Sequence, residues 1–276
     1  MLHLSYDRLM PFEFDQAVAV TPLGNGLYSS PVQDGWDING NANGGYLLAL
    51  AASAMRAESG RNHPISITMH YLSPAPAGDA QMHCEVLKSG RRLATVEGTL
   101  QQNGRNIVRS IGVFGDLDAT AGPQLVTAEM PEIPPYAECQ PRSLPDQKPL
   151  GLGTRIDMRL HPDDNGFSRG EVNGVGRVRG WFAFQDGRPV DTLGLLLAAD
   201  SFPPVIFNAL GMLGWVPTIE LTVHVRGVPA LGPIACEFRC SVVQGGYWEE
   251  SGTLWDSTGR CVAMTRQISL VPQGTN

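Results

Sequence analysis

Ile65-Ser66-Ile67-Thr68-Met69-His70 has a counterpart 154 residues further on, Ile219-Glu220-Leu221-Thr222-Val223-His224. The match extends outward from there. Pro76-Ala77 recurs as Pro229-Ala230 at an offset of 153, and Gly78 recurs as Gly232 at 154. Gly98-Thr99-Leu100 recurs as Gly252-Thr253-Leu254 at 154, and Gly104-Arg105 as Gly259-Arg260 at 155. So constant an offset over roughly forty residues reads as a duplicated unit with halves of roughly 120 residues. Side chains alternate along a strand, so Ile65, Ile67, Met69 and Tyr71 share one face and Ser66, Thr68 and His70 the other. In the second copy Ile219, Leu221, Val223 and Val225 oppose Thr218, Glu220, Thr222 and His224.

Each half has the same order of elements. In the first, short strands are expected over 14–21 and 26–32. An Ala- and Leu-rich buried helix follows over 44–56, opened by Gly44 and Gly45, then strands over 66–72, 80–88, 92–101 and 106–114. In the second, strands over 154–160 and 170–184 precede a helix over 190–200 with Asp191 as N-cap, and strands follow over 219–226, 235–244, 247–255 and 261–271. Pro131-Glu132-Ile133-Pro134-Pro135-Tyr136 marks a linker. The expected organisation is a unit over 1–125, a Pro-rich linker over 126–152 and a second unit over 153–276. One apolar helix wrapped by a curved antiparallel sheet, occurring twice, is an α+β double hotdog.

Composition narrows the function. The 276 residues are 42 % apolar and 17 % charged, enough for a sizeable core, and the 32 Gly and 21 Pro favour turns and short strands over a helical bundle. Net charge is −7 with no run of Lys or Arg, which argues against nucleic acid as the main partner. No apolar run is long enough for a membrane span, and the first residues lack the charged start and apolar core of a signal peptide. Five scattered cysteines read as reduced thiols, and the expected compartment is cytoplasmic. The chain has no Gly-x-Ser-x-Gly elbow and no phosphate-cradling Gly-x-x-x-x-Gly-Lys, while Gly174-x-Gly176 continues wrongly for a dinucleotide fingerprint. Cys236 and Cys240 have no neighbouring Cys or His pair to complete a tetrad, so neither a metal nor another cofactor is expected.

Several short segments together carry a resemblance. They are Asn43-Gly44-Gly45-Tyr46 opening the helix, Thr68 through Gly78, Asp186-Gly187-Arg188-Pro189, Ala199-Asp200-Ser201-Phe202-Pro203-Pro204, Pro217 through Thr222, Trp255-Asp256 and Arg266-Gln267. In this order they resemble the TesB-like acyl-CoA thioesterases, double-hotdog enzymes that hydrolyse acyl-CoA to a free acid and coenzyme A. The resemblance implies a water held by Asp200, Thr218 and Gln267, with Thr222 as an alternative hydroxyl. It also implies an acyl-CoA substrate and a homodimer or higher even oligomer. The residue types suit the chemistry. A carboxylate can take a proton from water, a hydroxyl and an amide can orient it, and helix-start amides at Gly44 and Gly45 can hold the thioester oxygen.

The repeat sets Pro64 against Thr218 and Val113 against Gln267. Neither can orient water, so one equipped site per chain is expected. Blander roles compete: Asp200 as a turn cap, Thr218 as a strand start, Gln267 as a surface residue and Gly44-Gly45 as a packing device. His70 and His224, present in both copies, read as structural, and Cys84 and Cys261 as core residues. Arg91 and Arg92 fit either a coenzyme A phosphate or a solvated hairpin tip. Two other functions stay open, a hotdog acyl-CoA hydratase and a non-catalytic acyl-CoA or lipid-binding module.

Overall fold

The computed structural model describes residues 11–117, 122–141 and 151–271. Its strands are β1 (Thr21–Gly24), β2 (Leu27–Ser29), β3 (Asp37–Ile38), β4 (Asn41–Ala42), β5 (His63–Tyr71), β6 (Gln81–Ser89), β7 (Leu93–Gln102) and β8 (Arg105–Gly115) in the first half. The second half has β9 (Gln140–Pro141), β10 (Ile156–Leu160), β11 (Arg177–Phe184), β12 (Thr218–Val225), β13 (Ile234–Arg239), β14 (Val243–Gln244), β15 (Tyr247–Trp255) and β16 (Cys261–Leu270). The α-helices are α1 (Glu13–Ala17), α2 (Gly44–Ser59), α3 (Thr192–Ala198) and α4 (Ile206–Leu210).

Fourteen of these strands join one antiparallel sheet in the order β1-β2-β6-β7-β8-β5-β12-β16-β15-β13-β11-β10-β9, with β14 beside β15. The second half of this order mirrors the first, as two copies related by a twofold axis require. The axis passes through the β5–β12 pair. Thr68 lies opposite Thr222, its own repeat partner, and the two hydroxyls share a hydrogen bond of 2.8 Å. The double-hotdog expectation therefore holds, and the decisive hexapeptides form the seam between the halves.

Helix α2 is buried from Gly45 through Met55 and packs on β5, β6, β7 and β8. A helix apolar on every side needs cover on every side, and α3 supplies the remainder. Asn43 caps α2 by accepting from the Tyr46 N–H at 3.0 Å, and Gly60 ends it in the left-handed region at φ 62°. Asp191 caps α3 through the Gly194 N–H at 2.8 Å, as expected. The two helices run antiparallel, with Gly45 against Leu197 at one end and His63, just beyond α2, bonded to Thr192 at the other.

Some expected elements differ. Residues 14–21 do not form a strand. They begin with α1, because Phe14 and Ala17, three apart, bury one helical face, and Phe14 stacks near Trp36 and Phe184. The strand expected over 170–184 starts only at Arg177, since Gly170 and Gly174 take φ of 77° and 75° and turn the chain. The strand over 235–244 stops at Arg239 and resumes as the short β14. The helix over 190–200 is shorter, and α4 was not foreseen. The linker is not free of the second unit. Gln140–Pro141 pairs with β10, and Pro134 accepts from the Trp181 indole at 2.9 Å. Residues 142–150 of that linker lie outside the described residues.

The strand faces are as expected at Ile67, Met69, Leu221, Val223 and Val225, all buried. They are not as expected at the strand starts. Both copies carry a bulge, between Pro64 and Ser66 and between Thr218 and Glu220. The extra residue reverses the alternation, so Thr218 faces inward while Glu220, Thr222 and His224 face out.

Gly45 tests the helix contact. An added Cβ would lie 2.6 Å from the Leu197 carbonyl oxygen and 2.9 Å from that of Leu196, both rigid backbone. Alanine would gain roughly 1 kcal/mol of helix propensity, but overpacking costs ~1–3 kcal/mol. Gly45→Ala is expected to lower the denaturation midpoint in urea, and an unchanged or higher midpoint would contradict this contact.

Candidate active site

Asp200 follows the C-terminus of α3 and meets the N-terminus of α2. Its Oδ2 accepts from the Gly45 N–H at 3.0 Å and from Asn43 Nδ2 at 3.3 Å, and its backbone carbonyl accepts from the same Nδ2 at 2.8 Å. A negative group suits this position, since the helix start presents free N–H groups and the positive end of the dipole. Gly44 makes room for it: a Cβ there would lie 2.6 Å from Asp200 Oδ2 and 3.0 Å from the Tyr71 hydroxyl. Tyr71 donates to the Gly44 carbonyl at 2.9 Å. Burial raises the Asp200 carboxyl from an ordinary 3.8 to about 7, against the downward pull of the Gly45 and Gly44 amides. The helix-start amides that the sequence offers to a thioester oxygen are therefore engaged by Asp200. The packing role weighed for Gly44-Gly45 is also real.

Gln267 is buried on the inner face of β16, not on the surface. It lies between Leu221 of β12 and Glu250 of β15. Its Nε2 donates to Glu250 Oε1 at 3.1 Å, and its Oε1 is buried with no hydrogen-bond partner. Glu250 Oε2 accepts from the Val205 N–H at 3.4 Å, on the segment that leads from Asp200 into α4. Burial pushes the Glu250 carboxyl well above its ordinary range, and the nearby charges of Asp200 and Glu249 push the same way. Glu250 was missed in the sequence reading. The signal was there: a glutamate stands in the inward phase of a strand, between Trp248 and Gly252.

Thr218 lies opposite Ser269, two residues along β16 from Gln267 on the same face. Thr222 is on the other face, where it donates to Glu220 Oε1 at 2.5 Å and meets Thr68. Gln267 is thus bonded to Glu250, the charge of Asp200 acts on Glu250, and Thr218 shares the strand face of Gln267, while Thr222 is on the other face. His70 and His224 are exposed on the outer face, and Arg91 and Arg92 are exposed at the β6–β7 hairpin tip. Cys84 is buried and Cys261 half-buried.

The other end of the helix pair is built from different residues. The repeat places Val96 against Glu250, Pro64 against Thr218 and Val113 against Gln267. Asp191 there spends its side chain on capping its own helix and pairing with Arg188 at 2.9 Å. A cleft of about 500 Å³, lined by Ser53, Arg56, Arg61 and Asn62 among others, opens near that end of α2, and none of Asp200, Thr218, Gln267 and Glu250 lines it.

Comparison with known proteins identifies the family. Models of the acyl-CoA thioesterase N-terminal and C-terminal domains match residues 32–115 and 136–271. A Thermobifida fusca protein assigned as a thioesterase II is 34 % identical, with a TM-score of 0.87 over 96 % of this chain and 99 % of its own. The acyl-CoA thioesterase II TesB2 of Mycobacterium marinum shares the fold at 17 % identity and a TM-score of 0.74, over 95 % of this chain and 99 % of its own. An uncharacterised protein of Mycobacterium tuberculosis is 26 % identical across 94 % of this chain and 98 % of its own length. The chain belongs to the TesB-like family of acyl-CoA thioesterases.

Proposed function

We propose that this chain hydrolyses an acyl-CoA thioester to a carboxylic acid and coenzyme A, with Asp200 as general base. The observation that carries the reading is a carboxylate whose proton affinity is raised to about 7, held by the Gly45 amide at the start of α2 and acting by its charge on the buried Glu250. Asp200 takes a proton from water as the water oxygen bonds to the thioester carbon. The tetrahedral intermediate then collapses, the C–S bond breaks, and the proton on Asp200 passes to the thiolate. Thr218 and Gln267 orient the water. The side-chain amide of Asn43 and the Gly45 N–H, both already beside Asp200, are the donors that a developing oxyanion would share. The hydrogen-bond partners of Asp200 are amides, not the histidine a hydratase reading would pair with it. A homodimer or higher even oligomer is part of this proposal, and light scattering that returned only a 29.7 kDa species would remove that part.

Asp200→Asn keeps the shape and removes the basic oxygen. It is expected to lower kcat for thiol release by ~10²-fold or more, and wild-type turnover on every accepted acyl-CoA would sink the assignment. In the wild type, kcat/KM should fall about tenfold per pH unit below pH 7 and level off above it. Stability carries an independent signature. The folded-state pKa is raised, so the contribution of Asp200 is fully present below pH ~4 and is lost as pH rises through about 7. The Tm difference, Asp200→Asn minus wild type, should therefore become more positive from pH 5 to pH 8. A flat difference would argue that the carboxyl is not raised.

The two threonines separate cleanly. Thr218→Ala should reduce kcat by ~10-fold or more, because misplacing a reacting water is costly. Thr222→Ala, on the opposite face, should stay within about twofold of wild type. The reverse pattern in steady-state kinetics would move the hydroxyl to the outer face.

A further inference from the structure

Glu250 is 6 % exposed and divides its carboxyl between two elements. One oxygen accepts from Gln267 on the neighbouring strand, and the other accepts from the Val205 N–H. A primary amide can offer water either its oxygen or its NH₂, and what holds one end decides which end is offered. Glu250 holds the NH₂ end. The other end, Gln267 Oε1, is buried and without a partner, which is costly for a carbonyl unless water completes it.

We propose that Glu250 is a positioning residue that turns Gln267 so that its oxygen, not its NH₂, meets the reacting water. The proposal rests on Gln267 standing beside that water, as in the function proposed above. The chemical consequence is definite. A water that donates one hydrogen to Asp200 and the other to Gln267 Oε1 keeps a lone pair free for the thioester carbon. A flipped Gln267 would donate into that lone pair and block the attack. Glu250 plays this part as the carboxylate, whose two oxygens both accept, and burial together with the charges of Asp200 and Glu249 raises the proton affinity of that carboxylate.

The carboxyl matters because both of its oxygens can accept. In Glu250→Gln the Val205 N–H still needs an acceptor, so the new amide turns its oxygen to Val205 and its NH₂ to Gln267, which forces the flip. Glu250→Gln should therefore lower kcat by ~10- to 100-fold with KM within about twofold, although it is isosteric. The exchanged pair, Glu250→Gln with Gln267→Glu, places an acceptor toward the water again and should recover at least ~10-fold of the loss relative to Glu250→Gln alone. A structural role alone predicts no such recovery. A second readout needs no activity. The Gln267 side-chain amide, identified in ¹⁵N spectra by its loss in Gln267→Ala, should shift in Glu250→Gln. Wild-type kcat in Glu250→Gln, no recovery in the exchanged pair, or an unmoved Gln267 amide would each overturn the proposal. Gln267→Ala at full activity would sink the site reading itself. Gln267→Ala impaired beside an unaffected Glu250→Gln would sink only the role of Glu250.

Discussion

The N-terminus of α2 and the C-terminus of α3 approach so closely that no side chain fits between them: Gly45 abuts the carbonyls of Leu196 and Leu197, and Gly44 abuts the carboxylate of Asp200. Without that approach, Asp200 would be an exposed acid at the end of a short helix. With it, the carboxylate is withdrawn from water and compensated by backbone amides. Desolvation and the helix-start amides act in opposite directions, and desolvation wins, leaving the group half-ionised near neutral pH. An acid in that state can accept a proton from water and return it to a thiolate without a large mismatch in either step.

The duplication supplies two related ends of the helix pair, and among the described residues the two ends differ. Two copies meet along β5 and β12, and the seam keeps its symmetry down to the Thr68–Thr222 hydroxyl pair and the matching bulges. Packing demands are shared by both copies, so the inward aliphatic residues persist in each. Polar chemistry is not shared. One end of the helix pair holds Asp200, Gln267 and Glu250, while the repeat sets Val113 and Val96 against the latter two. A buried polar group costs stability unless it is satisfied, so a second, unused cluster would be a burden without return.

The bulge at the start of β12 is a small feature with a large effect. A strand slip of one residue exchanges its faces. Here the slip is confined to the first residues, so Thr218 joins the inner face with Gln267 while the aliphatic residues after it stay inward. The same device in the first copy tucks Pro64 into the core, which shows that the bulge belongs to the fold and was available to the site.

The repeat, the two buried helices, most of the strands along the chain and the differing residues of the two halves were legible in the sequence, because each rests on local pattern: periodicity, composition and spacing. Asp200 and Gln267 were singled out as candidates through ordered segments that resemble a family. That Thr218 and Thr222 lie on opposite faces was not legible, since strict alternation put both on one face and only the pairing register reveals the bulge. Phe14 looked like the start of a strand because one helical turn leaves too short a pattern to distinguish. Glu250 was visible as a residue out of phase, but its partner lies on the next strand. The engagement of the Gly44 and Gly45 amides by Asp200 spans 155 residues of chain and arises from helix packing. Local pattern determines which elements form and which faces they bury. Which polar groups meet, and what proton affinity they acquire, depends on distances between elements that only the tertiary structure sets.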